Sequence, residues 1–345
     1  MADLAGRHAR VAADAERRVL EVLRSGRYVG GPVVTEAERR LATVFGYAHG
    51  VGVNSGTDAL IHALMAMGIG PGDRVGVPAL TFFATAEAVI RVGATPVTVD
   101  VLPDRPLVDP DALPDTLTAL IAVHLFGDTC ALPPLDIPIL DDVAQSAGAA
   151  PPSRAGRVGA ASFYPTKTLG AAGDAGIVLA DDPDVAARAR ALGSHGMPAP
   201  YVHNRVAGHI GGNSRLDALQ AAVLLAHLDD LPARVARRRA IAAAYDAGLP
   251  ADIVPLPRGP GHPVHHYVVR TPRRDAIQRA LAAAEIETAV YYPRTVGAQP
   301  AMAGFPAAPT PNADRYCAEA LALPVHEGLS DADVARVLDA IGPSP

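Results

Sequence analysis

Val51-Gly52-Val53-Asn54-Ser55-Gly56-Thr57-Asp58-Ala59-Leu60 joins a short apolar run, a polar turn and the start of an amphipathic segment. It reads as strand, turn and helix, with the helix running from Thr57 to Met67 and stopping at Gly68. The unit recurs along the chain. Strand Val75–Val77 leads to a helix near Phe83–Val92. Further strands are expected at Pro96–Val101, Leu120–Leu125, Ala161–Tyr164 and Gly176–Ala180, and Ile137–Leu140 runs into Asp141-Asp142. Short apolar strands alternating with helices indicate an α/β fold: a large doubly wound, mainly parallel sheet with both faces covered. Ligands bind such sheets at the carboxyl ends of strands. Asn54–Thr57, Asp142 and Ser162–Lys167 all come just after expected strands, so they are expected to converge.

Outside this core, residues 8–25 read as one helix, and Thr35 with Glu38 has the spacing of a capping box for a helix ending at Gly46. A polar loop rich in Gly and His extends to Asn213. Residues 214–246 are helical in pattern, with Pro232 expected to separate two helices. Beyond residue 250 a smaller α/β unit is expected: strand His265–Arg270, helix Arg273–Ala284, strand Glu287–Tyr292, a loop over Pro300–Pro311 and a helix Ser330–Ile341 capped by Ser330. The division drawn is 1–247, a large cofactor-binding domain with an N-terminal helical segment, and 248–345, a small C-terminal domain.

Composition narrows the function. The 345 residues are 49% hydrophobic and 19% charged, enough apolar material for a sizeable core. A net charge of −6 without a Lys/Arg run argues against nucleic acid and membrane-surface partners. Apolar windows such as Ala59–Met67 are too short to span a bilayer, and Met1–Arg10 lacks an apolar signal core, so a cytoplasmic protein is expected. Cys130 and Cys317 lie far apart without metal-ligand spacing and read as free thiols; no metal site is expected.

Lys167, in Ser162-Phe163-Tyr164-Pro165-Thr166-Lys167-Thr168-Leu169-Gly170, is the only lysine; the other 29 basic positions are arginine. Arginine supplies charge as well as lysine does, but it cannot lose its proton near neutral pH and act as an amine nucleophile. Ser55-Gly56-Thr57 opens a helix with free N–H groups and two hydroxyls, which suits a phosphate as well as an ordinary cap. Asp142 closes an apolar strand, where a carboxylate needs a partner or acts as a helix N-cap. Ser162 can donate a hydroxyl to the same phosphate or be a plain strand serine. Phe82 can stack on a planar group or belong to the core with Phe83. If Ala144-Gln145-Ser146 begins a helix, Gln145 lies on the same side as Asp142. Together these residues match pyridoxal 5′-phosphate, which takes a Schiff-base lysine, an acid at its pyridine nitrogen, a phosphate cradle and a planar cover. His195, His203, His209, His265 and His326 fall near segments that can line a cleft, and each reads better as a solvated loop histidine.

The chain resembles the DegT/DnrJ/EryC1/StrS sugar aminotransferases of fold type I. The resemblance runs from about residue 20 to the C-terminus and is carried by Ser25–Pro32, Asn54–Leu60, Pro71–Asp73, Asp141–Ser146, Ser162–Gly170 and Gly212–Ala222. It implies an aspartate-aminotransferase-like fold, with Lys167 as catalytic Schiff-base residue and Asp142 at the pyridine nitrogen. It places Gln145 near the phenolic oxygen, Gly56, Thr57 and Ser162 on the phosphate, and Phe82 over the ring. Asn213 is implied to reach the cofactor of a neighbouring subunit, hence a homodimer with composite sites. The implied reaction moves an amine from an amino acid, glutamate in relatives, to a keto-sugar nucleotide in antibiotic or other specialised-metabolite biosynthesis. Tyr201–Asn204 with Gly212–Asp217 resembles the subgroup acting on C3 of TDP-linked keto-deoxysugars. A keto-cyclitol, a 4-keto nucleotide sugar or a non-catalytic pyridoxal-phosphate sensor are the alternatives. The connection Asp128–Asp136 is too short and proline-rich for the crossover helix that relatives have there.

Overall fold

The computed structural model describes residues 3–343. Helix α1 spans Leu4–Ala9 and α2 spans Ala12–Ser25, so the single helix expected over 8–25 is two. The break falls at Val11, whose φ of −126° is non-helical, and α1 turns Arg7 into the interior. Helix α3 runs Pro32–Phe45 from an N-cap at Gly31, with Pro32 in the first turn where its missing N–H costs nothing. The expected capping box does not form. Thr35 lies inside the helix, and the Glu38 carboxylate accepts from the Gly52 amide at 2.8 Å and from Arg190 at 2.8 Å.

The next elements are β1 (His49–Val53), α4 (Gly56–Ala66), β2 (Arg74–Pro78), α5 (Ala84–Arg91), β3 (Thr95–Val99), β4 (Ala119–Val123), β5 (Ile139–Asp142), β6 (Val158–Ser162), β7 (Gly176–Ala180) and α6 (Pro183–Leu192). They build a seven-stranded sheet in the order β1-β7-β6-β5-β4-β2-β3. β7 is antiparallel to both neighbours, and the other strands run the same way. Alternation along β7 shows the two covered faces. Val178 packs in the cluster under α4, α5 and α6, while Ile177 and Leu179 pack under α2, α3 and the later helix α7 (Ala218–Gly248). The chain between β4 and β5 holds one short 3-10 turn and no α-helix, as the proline-rich stretch predicted.

After the two-residue hairpin β8 (Arg205–Val206) and β9 (His209–Ile210), α7 runs unbroken through Pro232. An interior proline costs a helix about 3 kcal/mol. Leu224, Leu225, Leu228, Leu231 and Val235 flank it on both sides in one buried cluster, and that packing outweighs the lost hydrogen bond. The last elements are β10 (Val254–Pro255), β11 (Tyr267–Arg270), α8 (Arg274–Ala283), α9 (Pro311–Glu319), β12 (Ala320–Leu323) and α10 (Asp331–Ile341). β10, β11 and β12 form an antiparallel sheet. The strand expected at 287–292 is absent. Ala289 makes a single bridge to Ala322 of β12, and Tyr291 and Tyr292 line a cavity. Ser330 caps α10 in a full capping box with Asp333. Among the described residues no helix is long and apolar enough to cross a membrane.

Candidate active site

The carboxyl ends of β1, β5 and β6 open on one cavity of about 570 Å³. Its wall includes Gly56, Thr57, Phe82, Asp142, Gln145, Ser162 and Lys167. The convergence expected from strand ends is therefore present for Ser55–Thr57, Asp142, Ser162 and Lys167, while Asn54 does not line the wall. Asn213 is exposed outside this cavity, and its carbonyl accepts from the Asn54 side chain at 3.2 Å.

Asp141 and Asp142 close β5 and point to opposite faces, as successive strand residues must. Asp141 is fully buried and accepts from Tyr47 at 2.6 Å and from the amides of Ala155 and Gly156. His124 Nε2 lies 3.0 Å from it, and His124 Nδ1 accepts from the Cys130 amide, which puts the ring proton on Nε2. Burial works against this charge, but His124, Tyr47 and the Gly156 amide outweigh it and hold the carboxyl below its ordinary range. Asp142 faces the cavity with only the Ala144 amide and the Thr85 hydroxyl, each at 3.2 Å. Burial wins there and raises its pKa despite Ala144, Lys167 and Thr85. The segment after Asp142 is a pair of tight turns rather than a helix, stitched by Ser146 N–H to the Val143 carbonyl and Ala149 N–H to the Ser146 carbonyl. Gln145 still reaches the cavity because its Oε1 is fixed by the Phe126 amide at 2.6 Å.

Lys167 sits in a turn in which its own N–H donates to the Tyr164 carbonyl at 2.8 Å. Burial lowers its pKa, and Asp142 opposes that shift without cancelling it. That shift favours the free amine over the ammonium, the direction an amine nucleophile needs. Phe82 is 59% exposed at the cavity mouth, 6.2 Å from the Tyr292 ring, whereas Phe83 packs on the core. The core reading of Phe82 therefore does not hold.

Helix α4 begins at Gly56, with Ser55 capping it by accepting from the Asp58 amide. A Cβ at Gly56 would lie 2.5 Å from Ser162 Cβ and 3.0 Å from its Oγ. The glycine lets the helix N-terminus and the end of β6 share one concave, N–H-lined wall, a shape that holds a phosphate. Gly56→Ala is expected to weaken cofactor binding about 10-fold or more, because overpacking of this kind costs about 1–3 kcal/mol. Absorbance after dialysis checks it; an unchanged affinity would mean the wall is not the cradle.

Several wall residues carry no sequence signal of their own. Tyr291 and Tyr292 come from the segment expected as a strand. His265 is not the solvated loop histidine expected of it. It is buried, and its Nδ1 lies 3.0 Å from the hydroxyl of Thr168, next to Lys167. His266 beside it stacks on Tyr291 at 4.2 Å. Burial, with added charge from Lys167 and Arg238, depresses both imidazoles well below their ordinary range, so they are neutral. His195 and His203 remain on the polar loop, 6.2 Å apart between ring centres and outside the cavity wall.

The model of the DegT/DnrJ/EryC1/StrS aminotransferase family matches residues 10–342. The chain belongs to that family. It is 40% identical to the dTDP-3-amino-3,4,6-trideoxy-alpha-D-glucose transaminase of Streptomyces venezuelae, over 98% of this chain and 94% of that one. It is 36% identical to the UDP-2-acetamido-2-deoxy-3-oxo-D-glucuronate aminotransferase of Pseudomonas aeruginosa, over 98% of each. The crystal structure of S. venezuelae DesV in complex with a ketimine intermediate superposes with a TM-score of 0.90 at 37% identity, over 99% of this chain and 96% of that one. Solved structures of the same fold include pyridoxal-phosphate and pyridoxamine-phosphate forms. This aminotransferase is a pyridoxal-phosphate enzyme. Its cavity fits the group: a cradle that a Cβ would fill, a buried carboxylate whose bonded partners are an amide and a hydroxyl, and one amine.

Proposed function

We propose that Lys167 carries the catalytic step of an amine transfer from glutamate to the keto group of a nucleotide-linked sugar. The observation that carries this is the placing of a lysine of lowered pKa and a buried carboxylate on one cavity of a family aminotransferase. The cofactor supplies an electron sink and a carrier for the amine. Asp142 holds a proton at the ring nitrogen. Gly56, Thr57 and Ser162 would hold the phosphate, Gln145 would meet the phenolic oxygen and Phe82 would cover the ring. Lys167 would hold the cofactor covalently and, as a free amine, would take the proton from the donor Cα and return it on the other side of the transfer. A positioned base contributes roughly 10²–10⁴-fold in rate when it is unprotonated, and burial favours that state.

The acceptor we propose is a 3-keto nucleotide sugar of the TDP-deoxyhexose class. Both the Streptomyces and the Pseudomonas relative act, by their names, on sugars with nitrogen or oxygen chemistry at position 3. The enzyme charged with amine is expected to recover its aldehyde absorbance with a 3-keto TDP-sugar, and slowly or not at all with 4-keto sugars or keto-cyclitols. Recovery with a cyclitol alone would overturn the sugar assignment. We further propose a cytoplasmic homodimer in which Asn213 serves the partner's cofactor. The exposed Asn213 and the neighbouring Tyr201 and Ile210, 93% and 71% exposed, support a covering second copy. A monomer in sedimentation at working concentration would exclude it. The division into domains at 247/248 is also our reading, supported by a separate apolar cluster of Tyr267, Leu281, Leu321 and Val334, into which α7 sends Ile241 and Tyr245.

A further inference from the structure

We infer that Arg7, on the first short helix, is a positioning residue for Lys167. Arg7 is only 2% exposed. Its Nη1 donates to the carbonyls of Pro165 at 2.9 Å and Lys167 at 2.8 Å, the two residues that bracket the reactive turn. Its Nε donates to Glu327 Oε1 at 2.6 Å. The second oxygen of Glu327 accepts from Arg238 Nη2 at 3.1 Å. Arg238 Nη1 in turn binds the carbonyls of Val264, His265 and Val325.

The Lys167 turn is thus tied to the C-terminal region by a buried relay: Lys167 carbonyl, Arg7, Glu327, Arg238, and the backbone that carries His265. The relay matters because the turn lies outside any helix or strand, so its carbonyls have no ladder to satisfy them. Two of them depend on one guanidinium. Only arginine supplies donors in a planar fork that meets two carbonyls and a carboxylate together. Glu327 stays ionised in this setting. Burial opposes its charge, but Arg238 and Arg7 bring its pKa down to about 2. The direct route from His265 to Thr168 runs beside the relay, so the turn is held from two sides. Loss of the Arg7 fork frees the carbonyls of Pro165 and Lys167 and lets the Lys167 turn drift, while the other residues named on the wall keep their own contacts.

The inference rests on Lys167 being the catalytic amine. Its test uses Arg7→Lys, which keeps the charge beside Glu327 but loses the fork. With cofactor bound stoichiometrically, the rate constant of the glutamate half-reaction is expected to fall about 10- to 100-fold, the size of a misplacement near 1 Å. The donor KM should stay within about twofold, and the visible circular dichroism of the bound cofactor should change. Glu327→Gln keeps both carbonyl contacts but loosens the guanidinium, so a smaller fall of the same kind is expected, and it decides the matter should Arg7→Lys not fold. A half-reaction within twofold of wild type and an unchanged dichroism in either folded variant would overturn the inference. A Lys167→Ala enzyme that still reacts would overturn the underlying reading instead.

Discussion

Lys167→Ala is expected to lose the glutamate half-reaction by at least about 10⁴-fold, the upper range for a positioned acid–base group, with the loss of covalent attachment added to it. No other residue can replace it, because the chain has no second lysine and every other basic long side chain is an arginine. The neighbouring imidazoles do not substitute either. Burial depresses both His265 and His266 and makes them weak bases, an imidazole does not form the Schiff base, and His265 is already engaged by Thr168. The variant should fold as the wild type does, since burial of an ammonium opposes folding and the alanine removes that burden. The measurement is a stopped-flow absorbance trace after mixing with glutamate. Retained conversion within about 100-fold of wild type would remove Lys167 from the chemistry.

Asp142→Asn should separate activity from stability. The half-reaction is expected to fall roughly 10²–10³-fold, as when one electrostatic stabiliser is removed from a site. Thermal stability of the cofactor-free chain should move the other way. Folding raises the pKa of Asp142 above its ordinary 3.8, so the folded state binds its proton more tightly than the unfolded state. Such a carboxyl favours the fold below about pH 3.8 and opposes it as pH rises through the raised folded value. Asparagine removes the opposition, so the variant's midpoint should exceed the wild type's at neutral pH and the gain should vanish near pH 3.8. A variant less stable than wild type at pH 7 would show that Asp142 acts through its contacts with Ala144 and Thr85, not through its charge. Cofactor binding should reverse the order, because a cationic ring nitrogen gives Asp142 the counter-charge that burial denies it.

The local parts of the site were legible because each is a short pattern with a physical signature. Gly56 comes just after a strand and opens a helix, so the free amides there were foreseeable from a few consecutive residues. Asp142 comes directly after an apolar strand, which is enough to put it at the carboxyl edge of the sheet. Ser330 caps its helix as expected and adds a capping box with Asp333, while the capping box expected at Thr35 does not form. The difference lies in Gly31-Pro32, which start α3 a turn earlier, and in Gly52 and Arg190, which draw Glu38 away. Pro232 misled for a related reason: helix interruption is a local cost, and the apolar stripe on both sides of it is a larger, tertiary gain.

The sequence alone carried the α/β alternation, the placing of its single lysine after a strand, and the motifs through which the family resemblance, and with it the cofactor, entered. These depend on periodicity, turn residues and spacing, which are properties of neighbouring positions. The tertiary structure decided that Tyr291, Tyr292, His265 and His266 enter the cavity, that Asn213 stays outside it, and that Arg7 reaches a carboxylate 320 residues away. Such contacts join segments whose separation in the chain bears no relation to their distance in space. Only the packing of helices on both faces of the sheet brings them within hydrogen-bond reach.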